Sequence, residues 1–333
     1  MDDGTPVSAG RRLAFAVLVA AATKPAIAER VYRVGVLGVE GFDASGSAIT
    51  DELARRGYVA GRNLQFVVKN AESNAGLLDV MAAELVTDKV DVIVSVSSNA
   101  SAWAAKRATA TIPIVMLSSR DPVEDGLVKS LARPGGNVTG STTEGLELPT
   151  KRLQLLMEAL QPRAPVGVLI YEPFMTRPSV RKTVEALEAI AKTDKRPFAV
   201  AAVRKVERGD DLERSLEFLR ARGVTGVLIN SWSTIGASIE RVVSLFLRNG
   251  MASIMEWGGF AEAGILMTYA EATGEPERRV AAFVDRILKG ARPADLPIER
   301  GTRFELAINL KTAAALHIEI PKKLLLRADT LIR

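Results

Sequence analysis

Residues 89–140 read KVDVIVSVSSNASAWAAKRATATIPIVMLSSRDPVEDGLVKSLARPGGNVTG, and this stretch decides the fold. Two apolar runs rich in β-branched residues, Val90–Val96 and Ile112–Leu117, each predict a buried strand. The alanine-rich segment between them predicts a helix that ends near Ala110, because Thr111 and Pro113 follow. A strand, a helix and a second strand in this order form a βαβ unit, in which the two strands are parallel.

Each predicted strand of this unit is followed by a cluster of polar residues: Ser97, Ser98 and Asn99 after the first, and Ser118, Ser119 and Asp121 after the second. In open α/β sheets, the loops at the carboxyl ends of parallel strands are where ligands bind. The free amide groups at the start of the helix suit a carboxylate. We therefore predict that the first cluster holds a ligand carboxylate and that the two serines of the second support it. Asp121 precedes a proline, which is typical of a turn residue, and it is also a candidate acceptor for a ligand ammonium.

The alternation of strands and helices starts at Val31 and starts again near Pro149, which predicts two doubly wound α/β lobes. We assign residues 29–142 and about 268–298 to the N-terminal lobe. The C-terminal lobe takes residues 143–267 and about 299–333. Several segments must then cross between the lobes as hinge strands, the first near Thr142. A short helix is predicted at Asp125–Leu131.

The N-terminus has the pattern of a secretory signal peptide. Arg11 and Arg12 precede the apolar segment Leu13–Ala22, and Ala26-Ile27-Ala28 is an A-x-A cleavage motif. The apolar segment is shorter than the roughly 20 residues needed to span a bilayer. We predict cleavage after Ala28 and a mature chain in the periplasm without a membrane span.

Composition argues against several kinds of site. The chain has no cysteine and one histidine, His317, so a disulfide framework, a thiolate metal site and a two-histidine site are excluded. No G-x-S-x-G elbow is present, and the glycine-rich stretch 135–141 lacks the lysine of a phosphate-binding loop. The net charge of +5 is dispersed, which does not favour nucleic-acid binding. We expect a binding protein without catalytic residues, cofactor or metal.

Aromatic residues follow the predicted strands of both lobes: Phe42, Phe174, Trp232, Trp257 and Tyr269. If the lobes face each other, these side chains would form the apolar wall of a small-molecule site. The alternative is that the tryptophans pack loops or surfaces between the lobes. Other loop residues are candidate polar contacts, and these are Glu40, Glu172 and Glu256 for a ligand ammonium, with Thr142 and Ser231 beside them.

Several segments resemble the ABC-transporter substrate-binding proteins of the tryptophan/tyrosine-type family. They include LARRGYVAGRNL (Leu53–Leu64), DPVEDGLVKSLARPGGNVTG (Asp121–Gly140) and FELAINLKTAAAL (Phe304–Leu316). The resemblance implies a type I periplasmic-binding-protein fold, with two lobes, crossing strands as a hinge and the ligand in the cleft. The chain departs from the family at Ser97-Ser98-Asn99, where the family usually reads Gly-Thr-Pro, and at Arg120, where it often has Gly.

The sequence and this resemblance together predict the solute-binding component of an ABC importer. We expect a monomer that captures a small aromatic or apolar carboxylate or amino acid and delivers it to a permease in the inner membrane. Two alternatives stay open at this point. One is an extracytoplasmic ligand-sensing module, and the other is a secreted enzyme on a similar fold.

Overall fold

The computed structural model describes residues 1, 30–39, 48–72, 74–96, 99–118, 121–142, 147–204, 210–230 and 238–333. Val31–Arg333 form one compact unit. Apart from Met1, the predicted signal peptide and its cleavage site lie outside the described residues. No helix in the described ranges has the length and apolar character needed to cross a membrane.

The strands, in chain order, are β1 (Tyr32–Gly38), β2 (Leu64–Asn70), β3 (Val92–Ser95), β4 (Ile114–Ser118), β5 (Val138–Thr142), β6 (Val166–Tyr171), β7 (Phe198–Val203), β8 (Gly226–Asn230), β9 (Ala252–Met255), β10 (Met267–Glu271), β11 (Glu299–Arg300), β12 (Phe304–Asn309) and β13 (Thr330–Ile332). The helices are α1 (Ala48–Arg55), α2 (Leu78–Thr87), α3 (Asn99–Ala108), α4 (Glu147–Ala159), α5 (Pro178–Thr193), α6 (Asp210–Arg220), α7 (Ile239–Arg248), α8 (Phe260–Ala263), α9 (Glu275–Leu288), α10 (Leu310–Ala315) and α11 (Lys322–Leu325). Together they form two lobes, each built on one sheet.

The first lobe is a parallel sheet of six strands in the order β11-β5-β4-β3-β1-β2. Successive side chains of a strand point to opposite faces, and both faces of this sheet are covered. On one face Ile93 packs with residues of α2 and α3. On the other face Val92 and Val94 pack with residues of α1 and α9. The continuous apolar run in β3 is explained by this burial on both sides.

The second lobe is a sheet of seven strands in the order β13-β12-β10-β9-β8-β6-β7. All its pairings are parallel except that between β10 and β12. Helices α4 and α5 contribute to the core on one face, and α6 and α7 to the core on the other. The predicted fold class is therefore confirmed: two doubly wound α/β lobes joined by crossing strands.

Three connections cross between the lobes. The first follows Thr142, the second is Ala272–Gly274 between β10 and α9, and the third is 301–303 between β11 and β12. The observed boundaries between the lobes differ slightly from those predicted at residues 268 and 299. β10 stays in the second sheet because it pairs with β9 and β12, and β11 stays in the first because it pairs with β5.

The segment after β4 is a series of turns instead of the helix predicted at Asp125–Leu131. The Asp121 carboxylate accepts hydrogen bonds from the amides of Val123 and Glu124, at 2.9 and 3.1 Å. The amides of Leu127 and Val128 both donate to the carbonyl of Pro122. These bonds compete with the i to i−4 pattern of a helix, so the segment forms turns and bends before β5.

Candidate functional site

A cavity of about 200 Å³, here called the hinge cavity, lies where the crossing segments meet the two lobes. Leu117 of β4 and Glu277 of α9 line it from the first lobe, and the loop after β9 and Phe304 of β12 line it from the second. The chain at Ala272–Gly274 forms part of its wall. The carboxyl ends of parallel strands from both sheets therefore meet here, as expected for a ligand site in this fold class.

One wall of the hinge cavity is aromatic. Trp257 follows β9, and its side chain remains 38% exposed although it is large and apolar. Phe304 lines the cavity as well, and its ring packs against that of Tyr269 with the ring centroids 5.7 Å apart. An exposed indole beside a supported phenyl ring offers a surface on which a flat apolar group can stack.

The polar lining of the hinge cavity is mainly acidic. Glu256, Glu271 and Glu277 contribute carboxylates, and Arg152 contributes a guanidinium. Among the described residues, Oε2 of Glu277 is buried and accepts no hydrogen bond. Because carboxylates outnumber cations in this lining, its charge favours a ligand that carries an ammonium group.

Glu271 also holds the crossing segments together. Its side chain is 3% exposed and forms an ion pair with Arg279 of α9. Arg279 in turn donates a hydrogen bond from Nε to Oγ of Ser141 in β5, at 2.9 Å. A Cβ atom on Gly301 would lie 2.5 Å from Cδ of Glu271, so the third crossing passes directly against the same carboxylate. All three crossings thus meet around one buried ion pair.

Arg152 of α4 supports the cavity from the second lobe. It is 2% exposed, and its Nε donates to the backbone carbonyl of Tyr269 at 2.8 Å. At the start of α9, a hydrogen bond from Arg278 lowers the pKa of Glu275, so this carboxylate stays ionised into more acidic solution than an ordinary glutamate. Acidic residues at this position interact favourably with the helix dipole and stabilise the wall that α9 provides.

Two of the predicted site residues, Glu256 and Trp257, line the hinge cavity. Tyr269 supports Phe304 from the neighbouring strand. Thr142 is fully buried at the end of β5, opposite Arg300 of β11, where the first crossing begins. Of the predicted residues, the loop after β9 therefore reaches the hinge cavity, and Thr142 lies where the first crossing begins.

Other predicted residues have structural partners. Asn99 is 1% exposed and donates from Nδ2 to the carboxylate of Asp125 at 2.9 Å. Asp121 is a turn residue, as its bonds to the following amides show, and Arg300 lies 3.8 Å from it. Phe174 is 6% exposed and packs edge-on against Tyr171 in the core of the second lobe.

Glu172 lies apart from the hinge cavity. It pairs with Arg204 and lines an open depression of about 300 Å³ on the second lobe, together with Phe218 and other residues. Seven further predicted site residues lie outside the described residues: Glu40, Phe42, Ser97, Ser98, Ser119, Ser231 and Trp232. Ser118 closes β4, and its side chain is likewise not described.

Sequence reasoning missed Arg152, Glu271, Glu277 and Phe304. The sequence holds a partial signal for two of them, since Pro276 beside Glu277 is typical of the first turn of a helix and Phe304 begins the segment FELAIN. Their role depends on which lobe each late segment joins, and periodicity carries no information on that pairing.

Within the part of the chain that the structure describes, no group of three or more His, Cys, Asp or Glu side chains could hold a metal ion. The groups that the hinge cavity offers a ligand are an aromatic wall, carboxylates and one guanidinium.

Comparisons with known proteins agree with this geometry. The family model described as ABC transporter substrate binding protein matches residues 34–332. The tyrosine-binding protein of Clostridioides difficile (strain R20291) is 27% identical over 278 residues, which cover 84% of this chain and 78% of that protein.

Solved structures show the same fold. A conserved domain protein from Vibrio cholerae is 25% identical with a TM-score of 0.81, and the match covers 91% of this chain and 100% of that one. An ABC domain in complex with L-Trp from Streptococcus pneumoniae is 24% identical with a TM-score of 0.79, again over 91% and 100% of the two chains.

Proposed function

Because the chain belongs to the ABC transporter substrate binding protein family, we propose that it captures an amino acid with an aromatic or large apolar side chain between its two lobes. The family binds solutes and is not an enzyme class. In this proposal the mature protein works in the periplasm, after removal of residues 1–28, and delivers the ligand to a permease in the inner membrane.

The observation that carries this proposal is the pairing of an aromatic wall with an acidic lining in the hinge cavity. The ligand side chain stacks against Trp257 and Phe304, and the ligand ammonium faces Glu256 and Glu277. The small volume supports an amino acid, since sites for drug-sized ligands are usually about 300–1,000 Å³. The relative from Clostridioides difficile, named as a tyrosine-binding protein, supports the same ligand class.

The ligand carboxylate is assigned to the polar loop at the start of α3. Ser97 and Ser98 directly precede this helix of 10 residues, whose first amides and dipole favour a negative charge. This loop departs from the usual family sequence. We therefore expect it to be where the amino-acid specificity of this chain differs from that of other family members.

Binding is tested by isothermal titration calorimetry and by thermal shift with L-tyrosine, L-tryptophan, L-phenylalanine and L-leucine. Analogues of the aromatic compounds that lack either the amino or the carboxyl group complete the set. We expect at least one aromatic amino acid to raise the melting temperature, because a ligand that binds only the folded state stabilises it. Loss of the amino group should weaken binding by about tenfold or more, since it leaves buried carboxylates without their partner. The proposal fails if none of these compounds binds.

The aromatic wall is tested by Trp257→Ala. We expect affinity for the bound amino acid to fall by about tenfold or more, because an aromatic stacking contact and its buried area are lost. Phe218→Ala is the matched control: Phe218 is 40% exposed on the same lobe but lies in the separate depression near Glu172. Equal affinities of the two variants would show that Trp257 does not touch the ligand.

A further inference from the structure

A second contact between the lobes lies away from the crossing segments, at Asp125. This residue belongs to the turns after β4 in the first lobe. Its Oδ1 accepts a hydrogen bond from Oγ of Ser179 in the second lobe, at 2.6 Å. Its Oδ2 accepts from Nδ2 of Asn99 in its own lobe, at 2.9 Å. Nη1 of Arg177, also in the second lobe, lies 3.8 Å from the same oxygen.

The Asp125 carboxylate is buried by these partners. Its side chain is 3% exposed, and Ser179 and Asn99 are 8% and 1% exposed. A buried charge without hydrogen bonds is costly, so the carboxylate requires partners from both lobes as long as water is excluded. Once the lobes separate, water replaces Ser179 and Arg177, so opening does not leave the carboxylate without hydrogen bonds. A contact of this kind suits a reversible junction.

Helix α5 shows why the partner is a carboxylate. It is 16 residues long, begins at Pro178, and has no acidic residue in its first turn. Its N-cap position is Arg177, which makes no side-chain capping bond. Asp125 of the other lobe places a negative charge at this end of the helix, where the dipole favours it. The helix therefore receives from the opposite lobe the charge that its own sequence does not supply.

In the second lobe, the contact lies away from the hinge, so a rotation of the lobes moves its two sides apart. In the second sheet, β6 leads to α5 and stands three strands from β10, which leads to a crossing segment. At the usual spacing of strands, β6 is therefore about 14 Å from β10, the strand next to the hinge. Rotation about the crossing segments therefore separates Asp125 from Ser179, whereas the contact between Asp125 and Asn99 stays within one lobe.

We propose that Asp125 is a positioning residue that links ligand binding to closure of the lobes, because its carboxylate joins Asn99 at the start of α3 to Ser179 and Arg177 across the cleft. This inference rests on the proposed function, since Asn99 directly follows the Ser97-Ser98 pair to which the ligand carboxylate is assigned. A ligand held at the start of α3 therefore lies next to the residue that contacts Asp125. The measured affinity for the ligand falls when the closed state is less populated. Loss of Asp125 lowers that population and therefore weakens binding without removing a ligand contact.

The test measures closure and affinity separately. The chain has no cysteine, so Ala83→Cys on α2 and Glu188→Cys on α5 provide two label sites, both at exposed positions, for a distance between the lobes. In Asp125→Ala we expect the distribution of this distance to shift toward longer values, with and without ligand. Affinity for L-tyrosine or L-tryptophan should fall about tenfold. Ser179→Ala should shift both quantities in the same direction, and the double variant should lose little more than Asp125→Ala alone.

Asp79→Asn is the matched control. Asp79 carries a carboxylate on the same lobe, is 62% exposed, and pairs with Arg107 within that lobe. Its replacement should leave distance and affinity unchanged. If Asp125→Ala lowers the melting temperature but leaves the distance distribution unchanged, Asp125 is only structural and the proposal is overturned. If the wild-type protein binds none of the amino acids, the proposed function fails, and the distance in the unliganded protein still decides whether Asp125 favours the closed lobes.

Discussion

Tyr58 joins α1 to a helix far along the chain, since its hydroxyl donates to Oδ1 of Asp285 in α9 at 3.0 Å, across 227 residues of sequence. Burial, and then the hydrogen bond to Asp285, raises the pKa of Tyr58 to about 12. Asp285 also pairs with Lys289 at 2.7 Å and with Arg56 at 3.7 Å. Single residues of this kind fix α9 to the first lobe, although α9 is reached from the second.

The raised pKa makes stability depend on pH in the alkaline range. The unfolded chain releases the Tyr58 proton near pH 10, whereas the folded protein holds it until about pH 12. The contribution of this residue is therefore complete below pH 10 and is lost as pH rises from 10 to 12. We expect Tyr58→Phe to be less stable than the wild type by about 1 kcal/mol below pH 10, and the difference to shrink toward pH 12.

Urea unfolding of both proteins across this range measures the difference directly. Other groups that titrate are common to the two proteins and cancel. A difference that stays constant across the range would mean that the Tyr58 proton does not contribute to alkaline unfolding.

At the same scale, the sequence located Glu256 and Trp257 because both directly follow a recognisable strand. Glu172 and Phe174 follow a strand too, β6, but that strand lies away from the crossing segments. Position after a strand thus selects residues at the correct edge of the sheet. It does not tell which strands stand next to the hinge, because strand order depends on contacts between distant segments.

Among the elements, β5 depends on one glycine. Gly140 has φ +132°, and a Cβ atom there would lie 2.2 Å from the carbonyl oxygen of Met116 in β4. Both the conformation and the approach of the neighbouring backbone require glycine. The sequence predicted the neighbouring strand β4 from the apolar run Ile112–Leu117. It could not predict the turns after β4, where the Asp121 side chain competes with helical hydrogen bonding.

We therefore expect Gly140→Ala to destabilise the protein by about 3 kcal/mol or more, because backbone atoms of β4 or β5 must move to accept the methyl group. Gly136→Ala, four residues earlier, is the control, since nothing lies within 4 Å of a Cβ atom at that position. Thermal or urea unfolding compares the two. Equal stabilities would mean that β5 can shift away from β4 without loss.

At the scale of the whole molecule, the buried pair of Glu271 and Arg279 links the two lobes through the crossing segments. Removal of one partner leaves the other charge buried, which typically costs about 3–5 kcal/mol. We expect Glu271→Ala to destabilise the protein by roughly 3 kcal/mol. Amide exchange should then accelerate in strands of both sheets, for example β5 and β12.

Glu275→Ala provides the comparison for that variant. Glu275 pairs with Arg278 on the surface of the same helix, and exposed pairs of this type contribute little to stability. If the two substitutions had similar effects, or if exchange accelerated in one lobe alone, the ion pair would not connect the lobes energetically.

In the first lobe, most strands of the sheet are synthesised long before α9, the helix that packs against one of its faces. Strands β1–β5 are complete at Thr142, yet one face of their sheet is covered by Val280, Phe283 and Val284 of α9, each with no exposed surface. A chain that emerges from its N-terminus has only α1 on that face, and the part packed by α9 stays uncovered until about Leu288 is available. The second sheet waits even longer, for β12 and β13. Both lobes therefore reach their native cores only when nearly all of the polypeptide has been made.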